Sequence, residues 1–102
     1  MEFIKEPFDF DWDEANSEKN WIKHKVRRSE CEQVFFDTKN IGFPDLKHSR
    51  EEKRFLMLGS TKEGRRLIVT FTIRKSKIRV ISARDQNKRE RQTYEKQDEK
   101  ER

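Results

Sequence analysis

The sequence predicts an α+β fold: an N-terminal strand, two helices, a three-stranded antiparallel meander and a C-terminal helix. Three observations carry that expectation. Phe8, Phe10 and Trp12 alternate with Asp9, Asp11 and Asp13 at a period of two; apolar residues then recur at helical spacing; and past residue 54 three apolar runs follow one another across short polar separators.

The opening alternation reads as a half-buried strand with an acidic outer side, and Pro7 can begin it without a ladder donor. Asp13 is placed to cap a helix from Glu14, with Ala15, the aliphatic stem of Lys19, Ile22 and Val26 facing inward and Trp21 beside them. That helix is expected to stop around His24 to Val26. Ser29 with Glu32 three residues on is a capping-box pattern, and Cys31, Val34 and Phe35 fall at i, i+3 and i+4 of a short second helix. Residues 37–48 contain Gly42 and Pro44 and hold no period, so they read as loop.

The apolar runs 55–59, 67–73 and 78–83 are strands, and STKEG at 60–64 and RKSK at 74–77 are short enough to be hairpin turns. LIVTFTI is almost continuously apolar, as befits a central strand covered by helices on one face. Asn87 and Glu90 repeat the capping-box pattern before a last helix whose only large apolar residue is Tyr94, so fraying is expected beyond about residue 95. One domain over residues 1–102 accommodates all of this.

Composition narrows the functional classes. Charged residues make up 44% of the 102 positions and hydrophobic ones only 30%, yet eight Phe and two Trp supply a thin core that a disordered chain lacks. Cys31 is the only cysteine, which removes an intramolecular disulfide, and MEFIKEPFDF has neither the basic nor the apolar region of a signal peptide. No run is long enough for a membrane span, so a cytoplasmic protein is expected. His24, Cys31 and His48 lack metal-ligand spacing, and Gly42, Gly59 and Gly64 are isolated, reading as loop, strand-end and turn glycines. No cofactor is expected.

The charge is unevenly spread. Residues 1–60 hold 11 basic and 13 acidic side chains, whereas residues 61–102 hold 14 and 7. Between positions 65 and 84 stand Arg65, Arg66, Arg74, Lys75, Lys77, Arg79 and Arg84 with no acid among them. A polyanion suits such a surface, through release of its condensed counterions; solubility and edge protection are the alternative reading. Arginines on strands with two histidines are sufficient for one reaction, metal-independent RNA cleavage. The guanidinium groups would stabilise the phosphorane oxygens and a histidine would move protons. The same residues suit a nonenzymatic basic nucleic-acid-binding module.

An ordered set of pieces points further: FDWDE (10–14), KN (19–20), KH with Val26 following, VFFD (34–37), Asp45 with His48 and Ser49, Arg54–Phe55 with Gly59, GRRL (64–67), IRVISAR (78–84) and RER with Tyr94 and Glu95. Over residues 8–95 the chain resembles the BrnT family of ribonuclease toxins. The resemblance implies a RelE-like fold and RNA cleavage that arrests translation. It also implies neutralisation by a BrnA-like antitoxin whose ribbon-helix-helix domain would carry the complex to operator DNA. Where the family has Gly after the KH pair this chain has Lys25, which costs on the order of 1 kcal/mol if the helix ends left-handed.

On that resemblance Arg84, Arg54, Arg65, His24 and His48 are the candidate catalytic residues, and Lys23, Arg66, Arg79 and Lys77 the candidate RNA-binding ones. Each has a structural alternative. Arg84 can pair with Glu14 or Glu90, His24 can bond the end of its own helix, Glu52 can pair with Arg54 or a lysine, and Tyr94 can pack on the sheet. Strict alternation sets Arg79 and Arg84 on opposite faces unless a bulge intervenes. Trp12, Trp21, Phe35 and Phe36 are expected in the core.

Overall fold

The computed structural model describes residues 8–48 and 50–100, without the side chains of Lys19, Asn20, Ile22, Asp98, Glu99 and Lys100. Pro7 as a strand start, Lys19 and Ile22 as inward positions, and Ser49 lie outside the described residues. The elements are α1 (Glu14–His24), α2 (Arg28–Phe36), β1 (Ile41–Pro44), β2 (Arg54–Ser60), β3 (Arg66–Arg74), β4 (Lys77–Asp85) and α3 (Lys88–Lys100). The strands form one antiparallel sheet in the order β1-β2-β3-β4, so the fold is α+β.

The predicted meander is present and gains a strand. β1 arises inside the expected loop, where Gly42 and Pro44 hid the period; at a sheet edge Pro44 costs no ladder bond, and Ile41 and Phe43 pair with Leu58 and Leu56. The N-terminal strand shrinks to a single parallel bridge between Phe10 and Ile78, held by Asp11 N–H to the Ile78 carbonyl and Ile78 N–H to the Asp9 carbonyl, both 2.8 Å. The chain leaves the sheet there because Asp13 and Asn16 cap α1 reciprocally, each side chain accepting the other's backbone N–H, at 2.7 and 2.9 Å. Asn16, not Ala15, is the buried residue of that turn: its amide donates to the carbonyls of Asp11 and Val80, covering the outer edge of β4.

α2 begins at Arg28, ahead of the expected Ser29 cap, and Glu30 closes its first turn by accepting Arg27 N–H at 3.0 Å. Glu32 is instead drawn to the Trp12 indole N–H at 2.8 Å. Cys31, Val34 and Phe35 do face inward, onto Met57, Val69 and Phe71. Gly59, next to the end of β2 as expected, also lies tight against α2: a Cβ there would lie 2.7 Å from Val34 Cγ1 and 3.0 Å from its carbonyl oxygen. Trp21 and Phe36 depart from expectation, being 44% and 58% exposed.

The sheet has two unlike faces. Phe55, Met57, Leu67, Val69, Phe71, Ile78, Val80 and Ala83 point to the inner face, against α2 and the N-terminal segment. Leu56, Leu58 and Ile68 point to the outer face, where α3 covers only one end through Tyr94, 4% exposed. Tyr94 packing on the sheet is thus the role observed, and its hydroxyl donates to Asp37, which also accepts Ser60 N–H at 2.9 Å. Asn87 and Glu90 form the expected capping box, both bonds 2.9 Å, and α3 runs on to Lys100.

Two left-handed sites shape the turns. Lys75 and Ser76, at φ 50° and 66°, make the two-residue hairpin between β3 and β4. Lys25, at φ 55°, ends α1 where glycine would be unstrained. Arg65 secures that end. Its Nη1 and Nη2 donate to the carbonyls of Lys25 and His24 at 2.8 and 3.2 Å, its Nε and Nη2 grip Asp85 at 2.7 and 3.1 Å, and Nη1 reaches Glu30 at 3.1 Å.

Arg65→Ala therefore removes the donors that tie the ends of α1, α2 and β4 to the start of β3 and is expected to cost on the order of 2–3 kcal/mol, read as a lower urea midpoint. Gly59→Ala forces α2 off the sheet and is expected to cost about 1–3 kcal/mol in the same measurement, against no loss for Gly64→Ala beyond its backbone strain. Unchanged midpoints for both would mean that neither contact holds the helices in place.

Candidate functional site

Strand register decides which side chains share a site. Across the outer face the rows read Arg54, Thr72 and Arg79; then Leu56, Thr70 and Ser82; then Leu58, Ile68 and Arg84. Thr70 pairs with Ser82 but Phe71 with Val80, so Ile81 is an extra residue in β4. That bulge shifts the alternation by one and brings Arg79 and Arg84 to the same face, correcting the expectation of opposite faces.

An open cleft of about 500 Å³ lies on this face with Leu56, Ile68, Thr70, Ile81 and Ser82 at its floor. Arg84 and Arg54 stand at its two ends, Lys23 and His24 enter from the last turn of α1, and His48 enters with Asp45 from the β1–β2 connection. Five of the nine predicted residues thus meet in one place. His48 Nδ1 is 3.0 Å from Asp45 Oδ2, a contact that leaves Nε2 facing away from the carboxylate. Arg84 makes a two-pronged pair with Glu90 at 2.8 and 3.0 Å, and its side chain remains 44% exposed.

Glu90, expected both as a capping residue and as a possible partner of Arg84, fills the two roles at once: the carboxylate that caps α3 also turns into the cleft and fixes Arg84. Burial pushes the Glu90 carboxyl up, but the bonds from Arg84 and from Asn87 N–H outweigh it, so Glu90 is held below the usual carboxylate range. The Glu90 bond raises Arg84 in turn. Asp45, three residues before His48 in a loop, carried a signal in its spacing alone.

The remaining candidates lie elsewhere. Arg65 sits at the opposite end of the β2–β3 hairpin from Arg54, because antiparallel pairing puts the start of β3 beside the end of β2. Its pKa is raised by the Asp85 bond, and Asp85 is lowered by the same contact. Arg66 stacks over Tyr94 and pairs with Glu95. Arg79 is held by Asp13 at 2.8 Å and Asp11 at 3.5 Å, and Lys77 lies 3.8 Å from Asp9. Glu52 pairs with Arg74 at 2.6 Å. The acid-free run at 65–84 is therefore met by acids from other elements at six of its seven cations, so no uniform positive field covers the sheet.

Thiol chemistry has no foothold here, since burial pushes Cys31 up to about 12. No helix among the described residues is long and apolar enough to cross a membrane.

The sheet and its cleft define a small α+β protein in which arginine, lysine and histidine side chains converge on one open face. The chain belongs to the BrnT family: a family model described as a ribonuclease toxin, BrnT, of a type II toxin–antitoxin system matches residues 12–90. The match runs from the residue before the α1 cap to Glu90 and so includes every side chain of the cleft. A ribonuclease toxin of a type II toxin–antitoxin system acts on RNA and has a protein antitoxin. A search of curated proteins returns no significant match.

Asp13, Glu52, Asp85 and Glu90 all have folded pKa values below their unfolded ones, so their stabilisation is complete above the unfolded carboxylate range and disappears as pH falls through the folded values. The urea midpoint is expected to drop steeply below about pH 4.5. Glu90→Gln should remove part of that acid limb; an identical limb in the variant would show that Glu90 is not linked to folding.

Proposed function

We propose that this chain is a metal-independent endoribonuclease toxin with a RelE-like layout, acting in the cytoplasm as one domain. The observation that supports this most directly is the convergence of Arg84, Arg54, His24 and His48 on one cleft. In the proposed reaction a ribose 2′-hydroxyl gives up its proton, its oxygen bonds to the adjacent phosphorus, and the P–O5′ bond breaks. The products are a 2′,3′-cyclic phosphate and a 5′-hydroxyl. Arg84 and Arg54 take the charge that builds on the phosphorane oxygens, and Glu90 orients the Arg84 fork before substrate arrives. His48, aligned by Asp45, and His24 are the groups that move the two protons. The carboxylates of the cleft, Asp45 and Glu90, are engaged by His48 and Arg84, which fits a reaction whose charge stabilisation comes from arginine.

Lys23, beside His24, holds flanking phosphates, whereas Arg66, Arg79 and Lys77 are tied to acids and serve RNA only at the margin. The same pairing weakens the alternative of a nonenzymatic nucleic-acid-binding module, which needs a continuous positive surface. The proposed antitoxin is BrnA-like, with a ribbon-helix-helix domain through which the complex binds operator DNA. We further infer that α3 frays beyond about residue 95 in the free toxin, since Tyr94 is its last large apolar anchor.

Purified protein is expected to cleave single-stranded RNA in EDTA and leave cyclic or 3′-phosphate ends. Arg84→Ala should lower the rate about 10²–10³-fold with the far-UV spectrum retained, and Arg84→Lys should not restore it. A strict Mg²⁺ requirement, or ends bearing a 3′-hydroxyl, would sink this chemistry. A ribbon-helix-helix protein encoded beside this gene and co-purifying with its product would support the partner.

A further inference from the structure

Trp21 stands on the surface although a core this thin uses nearly every other large aromatic side chain. It sits one turn before His24 on α1, and residues three apart on a helix are surface neighbours, so Trp21 stands beside a residue that lines the cleft without lining it itself. Two cations attend it: the Lys25 ammonium lies 5.3 Å and the Arg27 guanidinium 5.5 Å from the ring centroid. Lys25 reaches that position from a left-handed backbone, a conformation that carries strain for any residue with a Cβ. The helix end that carries the ring is fixed by Arg65 through the carbonyls of His24 and Lys25.

An exposed indole on a rigid helix end, flanked by cations and one helical turn from a cleft-lining histidine, has the makings of a base-stacking platform. Every base has a π-face, so such a ring is sequence-tolerant, while neighbouring cations meet the phosphates on either side. We propose that Trp21 stacks on an unpaired base of the RNA substrate next to the scissile phosphate, with Lys25 and Arg27 contacting the adjoining backbone. The proposal rests on the cleft being the RNA site. It adds an anchor that would favour single-stranded over duplex RNA, because a paired base cannot offer its face.

The test separates stacking from cleavage by using RNA that cannot be cut. Full-length protein is titrated with a 2′-O-methyl uridine hexamer, whose blocked 2′-oxygen prevents attack, and with a backbone of equal length lacking bases. Wild type should bind the base-bearing strand about 5-fold tighter or more, the lower bound for one stacked base. Trp21→Ala should bind both equally, Trp21→Phe should keep most of the preference, and far-UV spectra should be superimposable. The emission of Trp21 should be quenched on binding, with Trp12, bonded to Glu32, as the reference indole that remains in Trp21→Ala. Absence of preference in wild type, or its survival in Trp21→Ala, overturns the proposal. If unmodified RNA is never cut while the preference persists, the nuclease reading fails and the platform stands.

Discussion

One guanidinium organises this molecule. Arg65 reaches from the start of β3 to the end of β4, the first turn of α2 and the last carbonyls of α1, so four element ends are positioned by a single rigid fork. A lysine could not do this, since its point charge has no fixed geometry with which to address two carboxylates and two carbonyls together. The consequence for the cleft is indirect. Lys23 and His24 enter it from the end of α1 that Arg65 holds, so a residue outside the site sets where two of its side chains stand.

Charge in this protein works by pairing across distance in sequence. The acidic alternation at residues 9–13 answers Lys77 and Arg79, Glu52 answers Arg74, and Asp85 and Glu30 answer Arg65. Most of these pairs are solvent-exposed and each adds little to stability. Their larger effect is on the field: they quench cations over much of the sheet and leave the cleft as the place where positive charge meets histidine. A chain with 44% charged residues can in this way fold without a single uniform field across its sheet.

Much of the architecture was legible because the local signals were strong. The two turns of the meander, the Asp13 cap, the Asn87–Glu90 cap and the inward Cys31, Val34 and Phe35 all lie where short-range pattern puts them. What escaped the sequence depended on partners far away. β1 is visible only once β2 is there to pair with it, and the burial of Asn16 makes sense only beside the Val80 carbonyl. The site divides along the same line. Arg84, Arg54, His24 and His48, singled out by residue type and motif order, line one cleft, but Arg65 has identical chemistry and stands elsewhere, because the hairpin register rather than the residue decides its neighbourhood.

The extra residue at Ile81 has a consequence for how relatives are compared. In a ladder of period two, one added residue is half a period, and everything after it changes side. A homologue with one residue fewer between the equivalents of Val80 and Ser82 would keep an arginine in the aligned column, yet turn it toward the core. Column identity at Arg84 is thus an insufficient sign that the arginine lines the same cleft, and the length of the segment before it is the character to check first.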